Sequence, residues 1–177
     1  CTRPPIGEQP FAVRVSRLGL SRIRVTQVQR DWANAARGEA IRNGSDPASW
    51  WPRRLQHVVD SFDHPGKAGP FEIELQALRL GDAGLVTNPF ELYLDYGLRI
   101  KARSPAPQTL VVQLSAGVVG EHLPIDGGLG WYLPTARALS GGSYGAMPAV
   151  ACVGPEGGQE LVEASLAELN ALFPGVR

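Results

Sequence analysis

The chain has 177 residues, of which 44% are apolar and 19% are charged. This composition can bury the core of one domain, and it is unlike that of an intrinsically disordered chain, which combines low hydrophobicity with high net charge. Seventeen basic residues balance seventeen acidic ones, so the chain lacks the net charge typical of a nucleic-acid or membrane-surface binder. No apolar run approaches the roughly 18 residues that span a bilayer.

The basic residues are concentrated in the first third of the chain. Residues 1–60 contain ten arginines and five acidic residues, whereas residues 61–177 contain seven basic and twelve acidic residues. Arginine-rich helix faces in solvent cause such a bias more often than a binding patch does. The pattern therefore predicts solvated faces.

The two cysteines, Cys1 and Cys152, are too few for a disulfide scaffold. A cysteine at position 1 is typical of a lipid-modified mature protein, although no signal peptide precedes it here. A segment of a longer protein would begin in the same way. Both explanations of Cys1 stay open, and the missing signal favours the second.

The first half of the chain predicts a tail, a strand and two helices. The proline-rich residues 1–10 indicate an extended tail, and residues 11–177 a single domain. Alternating apolar residues from Phe11 onward predict a strand. Helices are expected over Thr26–Arg42, where Thr26 is a suitable N-cap, and over Trp50–Phe62.

The second half of the chain alternates strands and helices. In chain order it predicts a strand from Phe71, a hairpin turn at Gly81-Asp82, a strand over 84–87, a helix from Asn88-Pro89 to about Ala102, a strand over 110–114, a glycine-rich loop over 115–143 and a helix over 156–173. This alternation indicates an α/β fold, with α+β as the borderline alternative. The hairpin makes the sheet mixed, with helices flanking it.

Glu91 is the first candidate functional residue. It lies just after a predicted strand, in the first turn of the helix expected from Asn88. Ligand sites of open α/β sheets gather outside strand ends, and the free backbone donors of a helix N-terminus keep a carboxylate ionised. The alternative is that Glu91 only complements the helix dipole, and the residues by themselves favour that simpler role.

Tyr132 and Tyr144 form a second pair of candidates. They lie in the glycine-rich segment, within the sequences GWYLPT and GGSYG. An ionised phenol can ligate a metal, and a neutral one can donate a hydrogen bond to a developing oxyanion. The alternative is that both rings pack loops onto the sheet, which the spacing alone favours.

The three histidines do not show the spacing of a metal site. His57, His64 and His122 include no pair at the i, i+4 separation of a zinc-binding helix. His122 lies beside Glu121 on the glycine-rich loop, from which it could reach a site. Isolated histidines without a motif are mostly not ligands.

Two stretches of the chain resemble the neutral/alkaline (non-lysosomal) ceramidase family. Residues 75–91, LQALRLGDAGLVTNPFE, and residues 95–100, DYGLRI, are similar to the end of that family's catalytic domain. There a hairpin leads into a Pro-Gly-Glu-type motif and a helix carries Gly-Leu-x-Ile. The segment Tyr132-Leu-Pro-Thr135, with Tyr144 twelve residues after its tyrosine, resembles the family's Tyr-x-x-Thr…Tyr segment.

The resemblance extends over about residues 71–173, and residues 1–70 match loosely. The sequence GPEGGQ at 154–159 is similar to bacterial ceramidase-like proteins of unassigned substrate. Two features depart from the family. Phe90 replaces the usual glycine before the glutamate, and about residues 118–129 are additional, which weakens the register of Tyr132.

The resemblance implies a zinc amidohydrolase that cleaves the N-acyl bond of ceramide. By motif position, Glu91 and Tyr132 would be zinc ligands, and Tyr144 would be the catalytic tyrosine that binds the amide carbonyl. Zinc accepts nitrogen and oxygen ligands and lowers the pKa of bound water toward about 7, which would yield a hydroxide for attack on the amide.

The family's two histidine ligands and its active-site serine have no counterpart in residues 1–70. The remaining ligands are therefore expected outside this chain, which would be the C-terminal part of a larger catalytic domain. The implied substrate is a small-molecule or lipid amide, with no role for nucleic acid, and the implied location is secreted or periplasmic. Two alternatives stay open: a non-catalytic lipid- or sugar-binding domain, and a hydrolase of a more polar amide or ester.

Overall fold

A computed structural model describes residues 10–115 and 132–175 of the chain. Residues 1–9 of the predicted tail, most of the glycine-rich loop and His122 lie outside these ranges. In chain order, the elements are β1 (Phe11–Leu20), α1 (Gln27–Arg42), α2 (Trp50–Asp63), β2 (Phe71–Leu80), β3 (Ala83–Thr87), β4 (Glu91–Leu92), α3 (Leu94–Arg103), β5 (Gln108–Val112), β6 (Tyr132–Leu133), α4 (Ala136–Ser140), a 3₁₀ turn (Tyr144–Ala146) and α5 (Pro155–Leu172).

Four strands form a mixed sheet in the order β1-β2-β3-β5. The first three are antiparallel neighbours, whereas β3 and β5 run parallel. The predicted hairpin is confirmed, with Leu80 paired to Ala83 around Gly81. Gly81 has a φ of 60°, a left-handed conformation that glycine adopts without strain. The mixed sheet with flanking helices confirms the predicted α/β class.

Helices cover one face of this sheet. α5 packs on β1, β2 and β3, while α3 packs on α5 and β5, and Leu75 is fully buried beneath them. Alternate residues of each strand point to the opposite face, which we call the outer face. There, Val15, Leu80 and Leu110 are exposed. Among the described residues, no helix is long and apolar enough to cross a membrane.

α1 and α2 build a second, smaller core. Leu55 and Val58 of α2 are fully buried there beside Ala149. Ala149 belongs to the segment between the 3₁₀ turn and α5, so that segment connects α2 to the rest of the domain. The predicted N-cap of α1 is confirmed: the Thr26 hydroxyl accepts from the backbone N–H of Gln29, whose side chain accepts from the backbone N–H of Thr26.

The helix predicted from Asn88 begins instead at Leu94, with Tyr93 as its N-cap. The Asn88 side chain accepts a hydrogen bond from the backbone N–H of Phe90 at 3.1 Å, as in an Asx turn. The backbone N–H of Asn88 donates to the carbonyl of Val112 at 2.9 Å. These bonds hold the segment in a bend beside the end of β5, because Asn88 forms an Asx turn and a contact with β5 instead of capping a helix.

Burial of Phe90 explains why the segment after Asn88 is stable in this conformation and not as a helix. Its side chain is fully buried, with its ring centroid 5.9 Å from that of Phe71. Burial of a phenylalanine contributes about 1.5–3 kcal/mol, more than the helix propensity of a few residues. The position of Glu91 in the first turn of a helix was therefore wrongly predicted, since Glu91 begins β4. The Phe90 side chain belongs to the main hydrophobic core.

Candidate active site

A small second sheet presents the candidate residues. β4 and β6 pair in parallel, with Glu91 opposite Tyr132 and Leu92 opposite Leu133. The backbone N–H of Leu92 donates to the side-chain carbonyl of Gln113, just after β5, at 2.8 Å. The site thus lies beyond the carboxyl ends of the parallel strands β3 and β5, the edge at which open α/β sheets bind ligands.

Glu91 and Tyr132 contact each other through their side chains. Both residues are half-buried. Interaction with the Glu91 carboxylate raises the pKa of Tyr132 above its ordinary value, and burial raises it further. The two residues that the resemblance assigns to zinc therefore converge, although a long stretch of sequence separates them.

Tyr144 packs against the same phenol. Its ring centroid lies 5.9 Å from that of Tyr132, and the two planes meet at 86° in an edge-to-face contact. The Tyr144 side chain is 57% exposed, so its hydroxyl is accessible to a substrate. The close approach depends on Gly145, where an added Cβ would lie 2.6 Å from the Tyr132 ring.

Tyr93 and Ser143 complete the cluster, and sequence reasoning missed both. Their hydroxyls hydrogen-bond at 2.6 Å, and the electrostatic influence of Tyr93 contributes to the raised pKa of Tyr132. The signal for Tyr93 was its separation of two residues from Glu91, because side chains two apart share one side of an extended segment. The predicted helix obscured that spacing.

A groove of about 300 Å³ adjoins the cluster through Ser143. Its walls are mostly apolar and come from Val28 and Trp32 of α1, Leu139 of α4 and Met147. Val28 and Trp32 are exposed large apolar residues on the helix surface. An apolar groove beside polar hydroxyls is the usual composition of a site for a ligand with a hydrocarbon part.

The described residues offer fewer ligands than a protein zinc site requires. A protein zinc site uses three or four side-chain ligands, and Glu91 and Tyr132 offer two oxygen donors. Within residues 10–115 and 132–175, no group of three histidine, cysteine, aspartate or glutamate side chains could hold a metal ion. His57 and His64 line a different cavity. Tyr132 would have to lose its proton to bind a metal, which a divalent cation at that position would favour.

No protein family, curated protein or solved structure matches this chain. The cluster consists of one carboxylate, three phenols and the Ser143 hydroxyl. Those groups can bind a cation in part, donate hydrogen bonds to a carbonyl oxygen and orient a substrate from the adjoining groove.

Proposed function

We propose that this chain contributes Glu91, Tyr132 and Tyr144 to a zinc-dependent hydrolase site for N-acyl amide bonds of sphingolipid-type substrates. The observation that carries the proposal is the contact of Glu91 with Tyr132 on paired strands. A carboxylate and a phenol held together beyond the ends of β3 and β5 can supply two oxygen ligands to a metal ion. The remaining ligands would come from residues outside this chain.

Each residue has a distinct part in this chemistry. Zinc, when bound, would activate a water molecule for attack on the amide carbonyl. Glu91 would hold the zinc through its carboxylate oxygens, and Tyr132 would hold it through its phenol oxygen after losing the proton. Tyr144, which is exposed above Tyr132, donates a hydrogen bond to the carbonyl oxygen as negative charge develops on it. Tyr93 and Ser143 hold the 3₁₀ turn that carries Tyr144.

The decisive test measures zinc content and hydrolysis of an N-acyl sphingosine by the natural polypeptide that contains this chain. We expect about one zinc per chain in the wild type, and loss of both zinc and activity in Glu91→Gln. Glu72→Gln, at an exposed position of β2, is the matched control and should leave both unchanged. A wild-type protein without zinc, or an unaltered Glu91→Gln variant, would overturn the proposal.

The apolar groove also suits a second function, the non-catalytic binding of a lipid. That function requires the groove but not the carboxylate. A bound lipid without zinc, insensitive to Glu91→Gln, would favour it over hydrolysis. A sugar-binding domain has less support, since the walls of the groove are mostly apolar.

Val28 allows the substrate class to be tested. Its side chain is 78% exposed at the groove, so Val28→Lys should fold normally while placing a charge where a hydrocarbon chain would lie. We expect a severalfold higher KM for a long-chain amide and no change for a short polar amide. Gln27→Lys, at the adjacent exposed position, is the control. Equal effects on both substrates would favour a more polar amide or ester.

A further inference from the structure

A larger cavity, of about 550 Å³, lies away from the candidate active site. It is bounded by residues 22–25 between β1 and α1, by the second half of α2 and by the loop that follows α2. Pro148 and Cys152 form its remaining wall. None of Glu91, Tyr93, Tyr132 and Tyr144 lines it. Its volume is within the range of small-molecule sites.

The charged and titratable side chains around this cavity are basic, apart from the Cys152 thiol. Arg22, Arg24, His57 and His64 line it, and the lining includes no aspartate or glutamate. Apolar side chains, including Val25, Val58 and Phe62, form much of the remaining wall. Part of the arginine excess of the first third of the chain is therefore collected at a concave site, whereas the sequence pattern favoured solvated helix faces.

Three contacts fix the position of Arg22. Its residue bridges to Val153 in an antiparallel pair, its Nε donates to the carbonyl of Gly69 at 2.8 Å, and its guanidinium lies 5.3 Å from the centroid of the Phe71 ring. Burial lowers the pKa of Arg22. Among the described residues it has no ion pair with a carboxylate. A half-buried, unpaired cation is a costly arrangement that a bound anion would relieve.

His57 lines the same cavity as Arg22. Its Nε2 is 3.5 Å from the Ser61 hydroxyl and 3.9 Å from the Cys152 thiol. Burial, and then the charge of Arg22, lower the pKa of His57, while Asp60 on the same helix opposes them. The positive form of His57 thus lacks a sufficient counter-charge, and an anion beside it would stabilise that form.

Cys152 does not make this cavity a nucleophilic site. Burial raises the pKa of its thiol to about 11, against the opposing charges of Arg22 and Arg54. Cys152 is therefore a neutral thiol at pH 7 and not a thiolate paired with His57. The cavity is therefore suited to binding a ligand and not to nucleophilic chemistry.

We propose that this cavity binds a small organic anion, whose carboxylate contacts Arg22 and His57 and whose apolar body packs on Val58 and Phe62. The arginine fork matches the geometry of a carboxylate, and the imidazole adds a second charged donor. The apolar walls select for an anion with a hydrocarbon part over acetate or an inorganic ion. This binding does not depend on the proposed hydrolase function.

Calorimetric titration with three probes tests the proposal on the natural polypeptide that contains this chain, at about pH 6.5, near the ordinary histidine pKa. Octanoate has both the charge and the hydrocarbon part, octanamide lacks the charge, and acetate lacks the hydrocarbon part. We expect octanoate to bind at least about tenfold more tightly than either of the others. Equal binding of octanoate and octanamide, equal binding of octanoate and acetate, or no binding of octanoate would overturn the proposal.

Variants of two cavity residues test whether octanoate binds in this cavity. Arg22→Met and His57→Gln should each weaken octanoate binding by about tenfold. Arg17→Met, at an exposed position of β1 outside the cavity lining, removes the same charge as Arg22→Met and should leave binding unchanged. If Arg22→Met fails to fold, His57→Gln decides. Unchanged binding in His57→Gln, or equal weakening in Arg17→Met, would contradict the site.

Discussion

Glu91 and Tyr132 occupy paired positions of β4 and β6, and the interaction with the Glu91 carboxylate holds the pKa of the Tyr132 phenol above its ordinary value. Because the carboxylate stabilises the protonated phenol, we expect Glu91→Gln to lower the pKa of Tyr132 toward the ordinary value of about 10. NMR titration of isotope-labelled tyrosines measures this change, with Tyr132→Phe identifying the resonance. Tyr96, whose burial raises its pKa to about 12, is the internal control. An unchanged Tyr132 pKa would contradict the contact.

The same interaction between Glu91 and Tyr132 makes the stability of the fold depend on pH at the alkaline end. The pKa of Tyr132 is higher in the folded than in the unfolded chain, so its stabilising contribution is complete below about pH 10 and is lost as the pH rises through the folded value. We expect the free energy of unfolding in urea to fall more steeply above about pH 10 for the wild type than for Tyr132→Phe. Parallel curves would show that the interaction of Tyr132 with Glu91 does not contribute to stability.

Cys152 should resist alkylation in the folded chain. Its thiol is buried and has a pKa of about 11, and the thiolate is the reactive form. We expect the Cys152 peptide to remain unmodified by iodoacetamide at about pH 8 under native conditions and to react fully in urea. Peptide mass spectrometry measures both states. Rapid native modification, with the fold intact by circular dichroism, would show that the thiol is accessible.

Two helical glycines should respond in opposite directions to the same substitution. An added Cβ at Gly158 of α5 would overlap the ring of Tyr96, whereas one at Gly97 of α3 meets no atom within 4 Å. We expect Gly158→Ala to destabilise the fold by about 1–3 kcal/mol through overpacking, and Gly97→Ala to stabilise it by about 0.5–1 kcal/mol through helix propensity. Urea unfolding measures both. Destabilisation by Gly97→Ala would contradict the open surroundings of that residue.

The two faces of the main sheet should differ in their sensitivity to truncation. Leu75 on the covered face is fully buried, whereas Val15 on the outer face is 58% exposed. We expect Leu75→Ala to lower the free energy of unfolding by about 2–5 kcal/mol and Val15→Ala by no more than about 0.5 kcal/mol. Similar large losses for both variants would mean that the outer face is covered in solution.

Regular elements with strong periodicity were well predicted. The helix expected over Trp50–Phe62 is Trp50–Asp63, and the one expected over 156–173 is Pro155–Leu172. Thr26 as the N-cap of α1 and the hairpin turn at Gly81-Asp82 were also predicted correctly. Each of these depends on neighbours in sequence, so local chemistry was sufficient.

The predicted helix start at Asn88 failed for a tertiary reason. Asn-Pro is an acceptable helix start in isolation, and nothing local indicated that Phe90 would be buried against Phe71 or that Asn88 would bond to Val112. Those contacts come from other parts of the chain. Because of these contacts, Glu91 begins β4 and does not lie in the first turn of a helix. The surroundings of Glu91 therefore differ from those predicted.

By itself, the sequence determined the mixed α/β class and the main helices, and it indicated Glu91, Tyr132 and Tyr144 as candidate residues. Periodicity, caps and motif spacing are local properties, so none of these results required the tertiary structure. Only the tertiary structure decided that Glu91 pairs with Tyr132, that Tyr93 and Ser143 join them and that arginine and histidine side chains collect around one cavity. These juxtapositions arise from strand pairing and packing between distant segments, which no local pattern encodes.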